Sequence, residues 1–205
     1  MHYTILDKER LSILPLLEPF KNRFYLAGGT ALALHLGHRD SIDFDFFTQD
    51  EINTKELFNE IANIFSGYNV IKTQDEKNTL SVIIDNSIKM SFFTYKYEMI
   101  EEVIDEPYLR LASITDIACM KFSAVTGRAT SKDYIDLYFI FKIMSLGKLL
   151  ELSMQKFENI DTNLVVKSLV YFDDVEQEPI VFKEGNNVSW QEVKDKMIEV
   201  VRELG

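Results

Sequence analysis

The sequence predicts an α+β fold: a sheet core flanked by helices over residues 1–105, then a mainly helical portion over residues 106–205. Three observations carry this. An apolar run from Phe24 to Ala27 ends at Gly28-Gly29, gives way to a helical segment Thr30–Leu36, and returns as the alternating stretch Ile42-Asp43-Phe44-Asp45-Phe46. That order reads as strand, turn, helix, turn, strand. Further stretches between Tyr68 and Tyr95 alternate or run apolar at strand length, and from about Ser113 the pattern changes to helices.

In chain order, Leu11, Leu14, Leu17 and Phe20 lie at helical spacing, with Pro15 expected to bend or interrupt that helix because it lacks an N–H and clashes with the preceding turn. This segment is expected to pack behind the sheet. After the acidic strand, Thr54 reads as the N-cap of a helix whose stripe of Leu57, Phe58, Ile61, Ile64 and Phe65 ends at Gly67. Strands follow at Tyr68–Thr73, Thr79–Asp85 and Ile88–Tyr95, the last two joined by a turn at Asn86-Ser87. Asp116 or a neighbouring hydroxyl residue starts a helix from Ile117 to at least Val125, and Ser131 caps Lys132 to Met144. Gly147 marks a stop before further helical sequence to about Val170. Ser189-x-x-Glu192 forms a capping box for a last helix through Leu204. The two portions meet near residues 100 to 112.

Composition narrows the function. The single Cys119 excludes an intrachain disulfide, and its neighbours Ile117, Ala118 and Met120 read as a buried helix face. The charged N-terminus lacks a signal-type apolar core and no apolar run approaches a membrane span, so a cytoplasmic location without membrane contact is expected. A net charge of −11, with 33 acidic against 22 basic residues, disfavours a broad nucleic-acid surface. A local basic patch of Arg39, Lys121, Arg128 and Lys132 can still guide a triphosphate or an RNA end, and the acidic surface suits a cationic partner.

The chemistry concentrates between Tyr25 and Thr48. Glycines at the turn let the backbone approach a ligand, and the first N–H groups of the following helix are unpaired donors at the positive end of its dipole, which suits phosphate. Asp43 and Asp45 alternate along a strand and project from one face, roughly 6.5–7 Å apart at the backbone, close enough to share divalent cations. A diglycine before a helix also serves as a plain turn, and alternating acids also form a solvated face. Together they set a phosphate cradle beside a pair of metal ligands.

Gly28-Gly29-Thr30 followed by Arg39-x-Ser41-x-Asp43-x-Asp45 resembles the first motif of the nucleotidyltransferase superfamily, in particular the AbiEii/AbiGii toxin family. Lys121 to Arg128, then Lys132-Asp133-Tyr134-Ile135-Asp136-Leu137, is similar to that family's helical motif, and Tyr171-Phe172-Asp173-Asp174 and Trp190-x-x-Val193-Lys194 are similar to its short members. The resemblance implies a polymerase-beta-like mixed sheet and a metal-dependent transfer of a nucleoside monophosphate from a nucleoside triphosphate to an acceptor. An RNA end, tRNA above all, is the implied acceptor, with Mg²⁺ or Mn²⁺ as cofactor and an antitoxin as partner. Asp43 and Asp45 would hold metal and act with Lys121 and Asp133 in catalysis. Gly28, Gly29, Thr30, Arg39, Ser41, Lys121 and Arg128 would bind the nucleotide.

Two readings of the helical motif stand side by side. Lys121 and Arg128 are seven residues apart, near one face of a helix, and can neutralise phosphates as charge builds on pyrophosphate. Asp133 and Asp136, three apart, can equally pair with Arg128, Lys132 or Lys121 and simply hold two helices together. Ser41 is a candidate phosphate ligand or a turn serine. His35 and His38 lack Cys or His partners at zinc spacing and receive no role. One departure from the family stands out: Ser91, in Ile88-Lys89-Met90-Ser91-Phe92-Phe93, occupies the position where a third carboxylate is expected. A hydroxyl cannot replace that base near neutral pH. Asp133 or Asp136 from the helical portion is a candidate for the missing acid; beside the leading reading stand a transferase acting on a protein or small-molecule hydroxyl, which the acidic surface suits, and a module that binds nucleotide or a partner without turnover, which Ser91 supports.

Overall fold

The computed structural model describes residues 1–128 and 130–205. Seven strands form one mixed sheet: β1 (Tyr25–Ala27), β2 (Phe44–Thr48), β3 (Val70–Glu76), β4 (Thr79–Ile84), β5 (Ile88–Thr94), β6 (Ile104–Asp105) and β7 (Arg110–Leu111), in the order β3-β4-β5-β2-β1-β7-β6. β1 runs antiparallel to β2, with Ala27 against Asp45, and β2 runs parallel to β5, with Asp45 against Ser91. β4 is antiparallel to β5 and sets Ser81 opposite Ser91. The sheet continues past residue 105, because β7 pairs in parallel with β1 at Leu26 and Leu111.

Strand periodicity gives the sheet two unlike faces. Leu26, Phe44, Phe46, Leu80, Val82, Met90 and Phe92 all lie on one face and are buried. Phe92 stacks on Phe46 at 5.0 Å between centroids and meets the edges of Phe20 and Phe24 at 5.4 and 5.1 Å. The N-terminal segment therefore packs behind the sheet. There the α-helix α1 (Lys8–Ile13) tightens into a 3-10 helix over Leu14–Phe20, with Pro15 in its first turn, the interruption that a missing N–H imposes. Arg10 is 3% exposed and reaches across the back of the site: Nε donates to the Ile42 carbonyl and Nη2 to the Ser87 carbonyl, both at 2.6 Å. Ile42 leads to Asp43, and Ser87 lies in the turn before β5.

The helices are α2 (Gly28–Leu36), α3 (Thr54–Ile64), α4 (Ile114–Gly127), α5 (Ser131–Ile140), α6 (Leu146–Lys156), α7 (Thr162–Val170) and α8 (Trp190–Arg202). Side-chain caps fix most starts: Asn53 rather than Thr54 for α3, the hydroxyl residue Ser113 near Asp116 for α4, Ser145 for α6, Asp161 for α7, and the Ser189–Glu192 capping box for α8. Gly147 does not stop a helix. It sits in the first turn of α6, where a glycine costs little, and the breaks fall before Ser145 and after Lys156. The β4–β5 turn is made by left-handed Asp85 and Asn86 (φ 47° and 59°), one residue earlier than the sequence placed it.

Asp116 and Lys156 bind the helical portion together. The Lys156 ammonium donates to Asp116 at 2.7 Å and to the Glu98 carbonyl at 2.7 Å, while Asp116 also accepts the backbone N–H groups of Ile100 and Glu101. Tyr134, Phe172 and Trp190 form an aromatic cluster that holds the tail against α5. No helix among the described residues is long and apolar enough to cross a membrane.

Gly37 ends α2 in the left-handed conformation (φ 64°), and a Cβ there would meet the His2 ring at 2.7 Å. Gly37→Ala should therefore lose about 1–2 kcal/mol of stability, seen as a lower midpoint in urea unfolding with an unchanged slope.

Candidate active site

The acidic pair and the diglycine meet at one point. β1 delivers the chain to Gly28 (φ 70°), the first residue of α2, and the pairing of Ala27 with Asp45 sets the Asp45 carboxylate over it: a Cβ on Gly28 would lie 3.2 Å from Asp45 Oδ2. A Cβ on Gly29 would lie 2.6 Å from Arg39 Nη2 and 3.4 Å from Ser41 Oγ. Both glycines are thus required by close approach, and the N-terminus of α2 opens beside a carboxylate and a guanidinium. Asp43 lies just before β2 in extended sequence and is exposed.

Asp45 is mostly enclosed, and no protein donor reaches its carboxylate among the described hydrogen bonds. Its pKa is raised, first by burial and then by the Asp43 charge, against opposing pulls from Lys89, Arg128 and Lys121. A half-buried carboxylate without a donor, beside a second carboxylate, suits a divalent cation. No cluster of three or more His, Cys, Asp or Glu side chains that could hold a metal occurs among the described residues. Two carboxylates completed by water and phosphate oxygens suit Mg²⁺, which keeps several waters and takes one or two protein carboxylates.

Thr30 and Ser41 are turned inward. Thr30 is 2% exposed; its hydroxyl bonds Ser41 Oγ at 2.8 Å and donates a short bond to the Asp43 carbonyl, fixing the backbone that carries Asp43. Arg39 gives three of its five N–H donors to the protein. Nε and Nη2 donate to the two Asp136 oxygens at 2.8 and 2.9 Å, and Nη1 to the Asp40 carbonyl at 3.0 Å.

Asp136 is the hub of this arrangement. Fully buried on α5, it also accepts His38 Nε2 at 2.8 Å and sits 2.6 Å from the Lys121 ammonium on α4. Lys121, 5% exposed, donates to Asp133 at 2.8 Å. Asp133 further accepts Arg128 Nε and Nη2 at 3.2 and 3.3 Å and the Thr130 hydroxyl at 3.0 Å. Burial alone would raise both acids, but Arg39 and Lys121 hold Asp136 well below the usual carboxylate range, and Lys121 and Arg128 hold Asp133 below it. With a depressed pKa and four donors, Asp133 is a poor proton acceptor and a good anchor for Lys121. Two of the three ammonium donors of Lys121 are occupied, leaving one. Arg128 keeps 68% of its side chain exposed while touching Asp133. Lys132 turns away to Glu178 at 2.9 Å.

The tail closes over the Arg39 loop. Arg39 pairs with Phe182 in an antiparallel bridge, Asp40 N–H donates to the Val181 carbonyl at 2.8 Å, and Lys183 N–H to the His38 carbonyl at 3.1 Å.

A sequence profile described as nucleotidyl transferase AbiEii toxin, type IV TA system, matches residues 15–203. The chain belongs to this family. A protein of Aquifex aeolicus (strain VF5) is 39% identical over 186 residues, covering 89% of this chain and 88% of its own. Among solved structures, MenT4, a nucleotidyltransferase toxin from Mycobacterium tuberculosis H37Rv, superposes with a TM-score of 0.64 at 17% identity, over 93% of this chain and 80% of that one. JHP933 from Helicobacter pylori gives a TM-score of 0.57 at 18% identity, over 98% and 93%. At these identities the superpositions speak for the fold, and the AbiEii match makes this chain a nucleotidyltransferase of a toxin family.

Within this AbiEii protein, the residues singled out in the sequence take the following places. Thr30, Arg39 and Ser41, expected at the nucleotide, use their polar atoms inside the protein. Lys121 and Asp133 meet as the ion pair that the helical spacing allowed, so any contact of Lys121 with phosphate starts from a paired ammonium. His38, given no role, is buried and bonded to Asp136, 98 residues away; no local pattern signals such a partner. Ser91 lies beside Asp45 in the parallel register, where the missing third acid was sought.

Two outcomes follow. Asp136→Ala leaves buried cations without their acid and should cost about 3–5 kcal/mol, read from chemical unfolding. Asp45→Asn should act the other way. Because burial raises the Asp45 pKa, the folded state takes up its proton more readily than the unfolded chain, and stability falls as pH rises from the ordinary carboxylate range through the raised value. Asp45→Asn should therefore melt higher than the metal-free parent near neutral pH, and the gap should close at acid pH. Thermal melts of both proteins across pH check this, and an unchanged gap would contradict it.

Proposed function

We propose that this AbiEii protein moves a nucleoside monophosphate from a nucleoside triphosphate to the hydroxyl end of an RNA, with tRNA as the acceptor class and Mg²⁺ or Mn²⁺ as the cofactor. The observation that carries this reading is the Asp45 carboxylate, half-buried and without a protein donor, set directly over Gly28 at the N-terminus of α2. Asp43 and Asp45 would hold the metal. A bound divalent cation would neutralise the triphosphate and favour in-line attack at the α-phosphorus.

The remaining roles belong to the chain itself. The Gly28 and Gly29 backbone offers N–H donors to phosphate at the start of α2. Lys121, oriented by Asp133 and Asp136, and Arg128, the most exposed cation of that network, would balance charge as the acceptor oxygen bonds to phosphorus and pyrophosphate leaves. The tight pairing of Asp133 favours positioning of Lys121 over proton removal. In a toxin family the setting would be a cytoplasmic toxin–antitoxin or abortive-infection system with a cognate antitoxin.

One observation favours a second reading. Ser91, 2% exposed, takes a hydrogen bond from Ser81 at 3.2 Å in the place beside Asp45, so the site lacks a third carboxylate there. A module that binds metal and nucleotide without turning over would share every other feature.

Transfer separates the two. Each α-³²P-labelled nucleoside triphosphate is incubated with Mg²⁺ or Mn²⁺, total RNA, bulk protein and the enzyme. The proposal expects label in RNA, reduced about a thousandfold or more in Asp43→Asn/Asp45→Asn. Label in protein alone would move the acceptor class to a protein hydroxyl, and nucleotide binding with no label in any fraction would establish the module.

A further inference from the structure

Lys89 belongs to the sheet face that carries Asp45. It lies between buried Ile88 and Met90 on β5, so it points away from the apolar core, as Ser91 does two residues on. The parallel register pairs Phe44 with Met90 and Asp45 with Ser91, which puts Lys89 one row back, at the level of Asp43. Its side chain is exposed and makes no ion pair or hydrogen bond among the described residues.

The other cations near these acids are committed elsewhere. Arg39 is held by Asp136, Lys121 by Asp133 and Asp136, Lys132 by Glu178, and Arg128 touches Asp133. The serine at 91 is what leaves Lys89 free. A carboxylate there would stand on the same face, roughly 6.5–7 Å along the strand, within reach of a lysine's four-carbon arm. Ser91 instead takes its bond from Ser81 and offers Lys89 no charge.

We propose that Lys89 is a phosphate-binding residue of the transfer site, its free ammonium gripping phosphate oxygens beside Asp43 and Asp45. This rests on the transferase reading above. The phosphate belongs to the donor nucleotide or to the backbone of the RNA acceptor, and binding measurements distinguish them.

Lys89→Gln and Lys89→Arg are compared with the parent by titration of a nucleoside triphosphate with chelator present, by titration of a short single-stranded RNA, and by kcat of label transfer. Loss of one charge-assisted hydrogen bond predicts roughly tenfold weaker binding of one ligand by Lys89→Gln. That loss should shrink with added salt, and Lys89→Arg should restore most of the affinity. Loss confined to the triphosphate assigns Lys89 to the donor, and loss confined to the RNA assigns it to the acceptor. Parent protein that transfers label while Lys89→Gln matches it in both affinities and in kcat overturns the inference and leaves the transferase reading intact. Parent protein with neither binding nor transfer overturns both.

Discussion

A carboxylate with no water around it governs how this protein is assembled. Asp136 is buried completely and would be costly to ionise alone; it is tolerated because His38 and Arg39 from the loop after α2 and Lys121 from α4 converge on it. That convergence does more than cancel charge. Arg39 can reach Asp136 only by passing over Gly29, so the loop that leads into Asp43 is bound to α5 through the same bonds that keep α2 clear at its start. The helical portion and the sheet therefore share one electrostatic joint. Its energetic worth is conditional: a complete network is near neutral against an apolar alternative, while an incomplete one is severely destabilising.

This joint explains the division of labour among the cations. Buried Arg39 and Lys121 are fixed in direction by acids, and partly exposed Arg128 and free Lys89 can still respond to a ligand. The acids divide in the same way. Asp133 and Asp136 have depressed pKa values and hold the frame, while Asp45 is raised by burial and by Asp43. Such a carboxylate is a standing cost to the fold, which fits a site built for binding rather than for stability.

What the sequence made legible followed short periods. The alternation at Ile42–Phe46 marked both acids and the apolar face behind them, while Ser91 was singled out by the family resemblance and lies opposite Asp45 in the parallel register. The capping box at Ser189 worked because both of its partners lie within four residues. The first strand-turn-helix unit and the helical motif also carried the family, which spans nearly the whole chain. The misses share a cause in distance along the chain. The bonds from Asp136 to His38 and Arg39 span 98 and 97 residues, and no spacing rule reaches that far. The sequence therefore marked Arg39 as a ligand residue without showing that three of its five N–H donors serve the fold. Gly147 and Thr54 failed for a smaller reason: a helix end is chosen by whichever nearby side chain completes the cap, and Ser145 and Asn53 did so.

Arg10 shows how far such control extends. One guanidinium, inserted from the N-terminal helix, takes hold of the carbonyls of Ile42 and Ser87 at once. Those two residues stand just before Asp43 and just before the strand that bears Lys89 and Ser91. The spacing between the neighbouring strands at their functional end is thus gauged from outside the sheet, by a residue that faces no ligand. Sequence change at position 10 reaches the chemistry as a change in the width of the cleft, and the first helix of the chain acts as the shim that sets it.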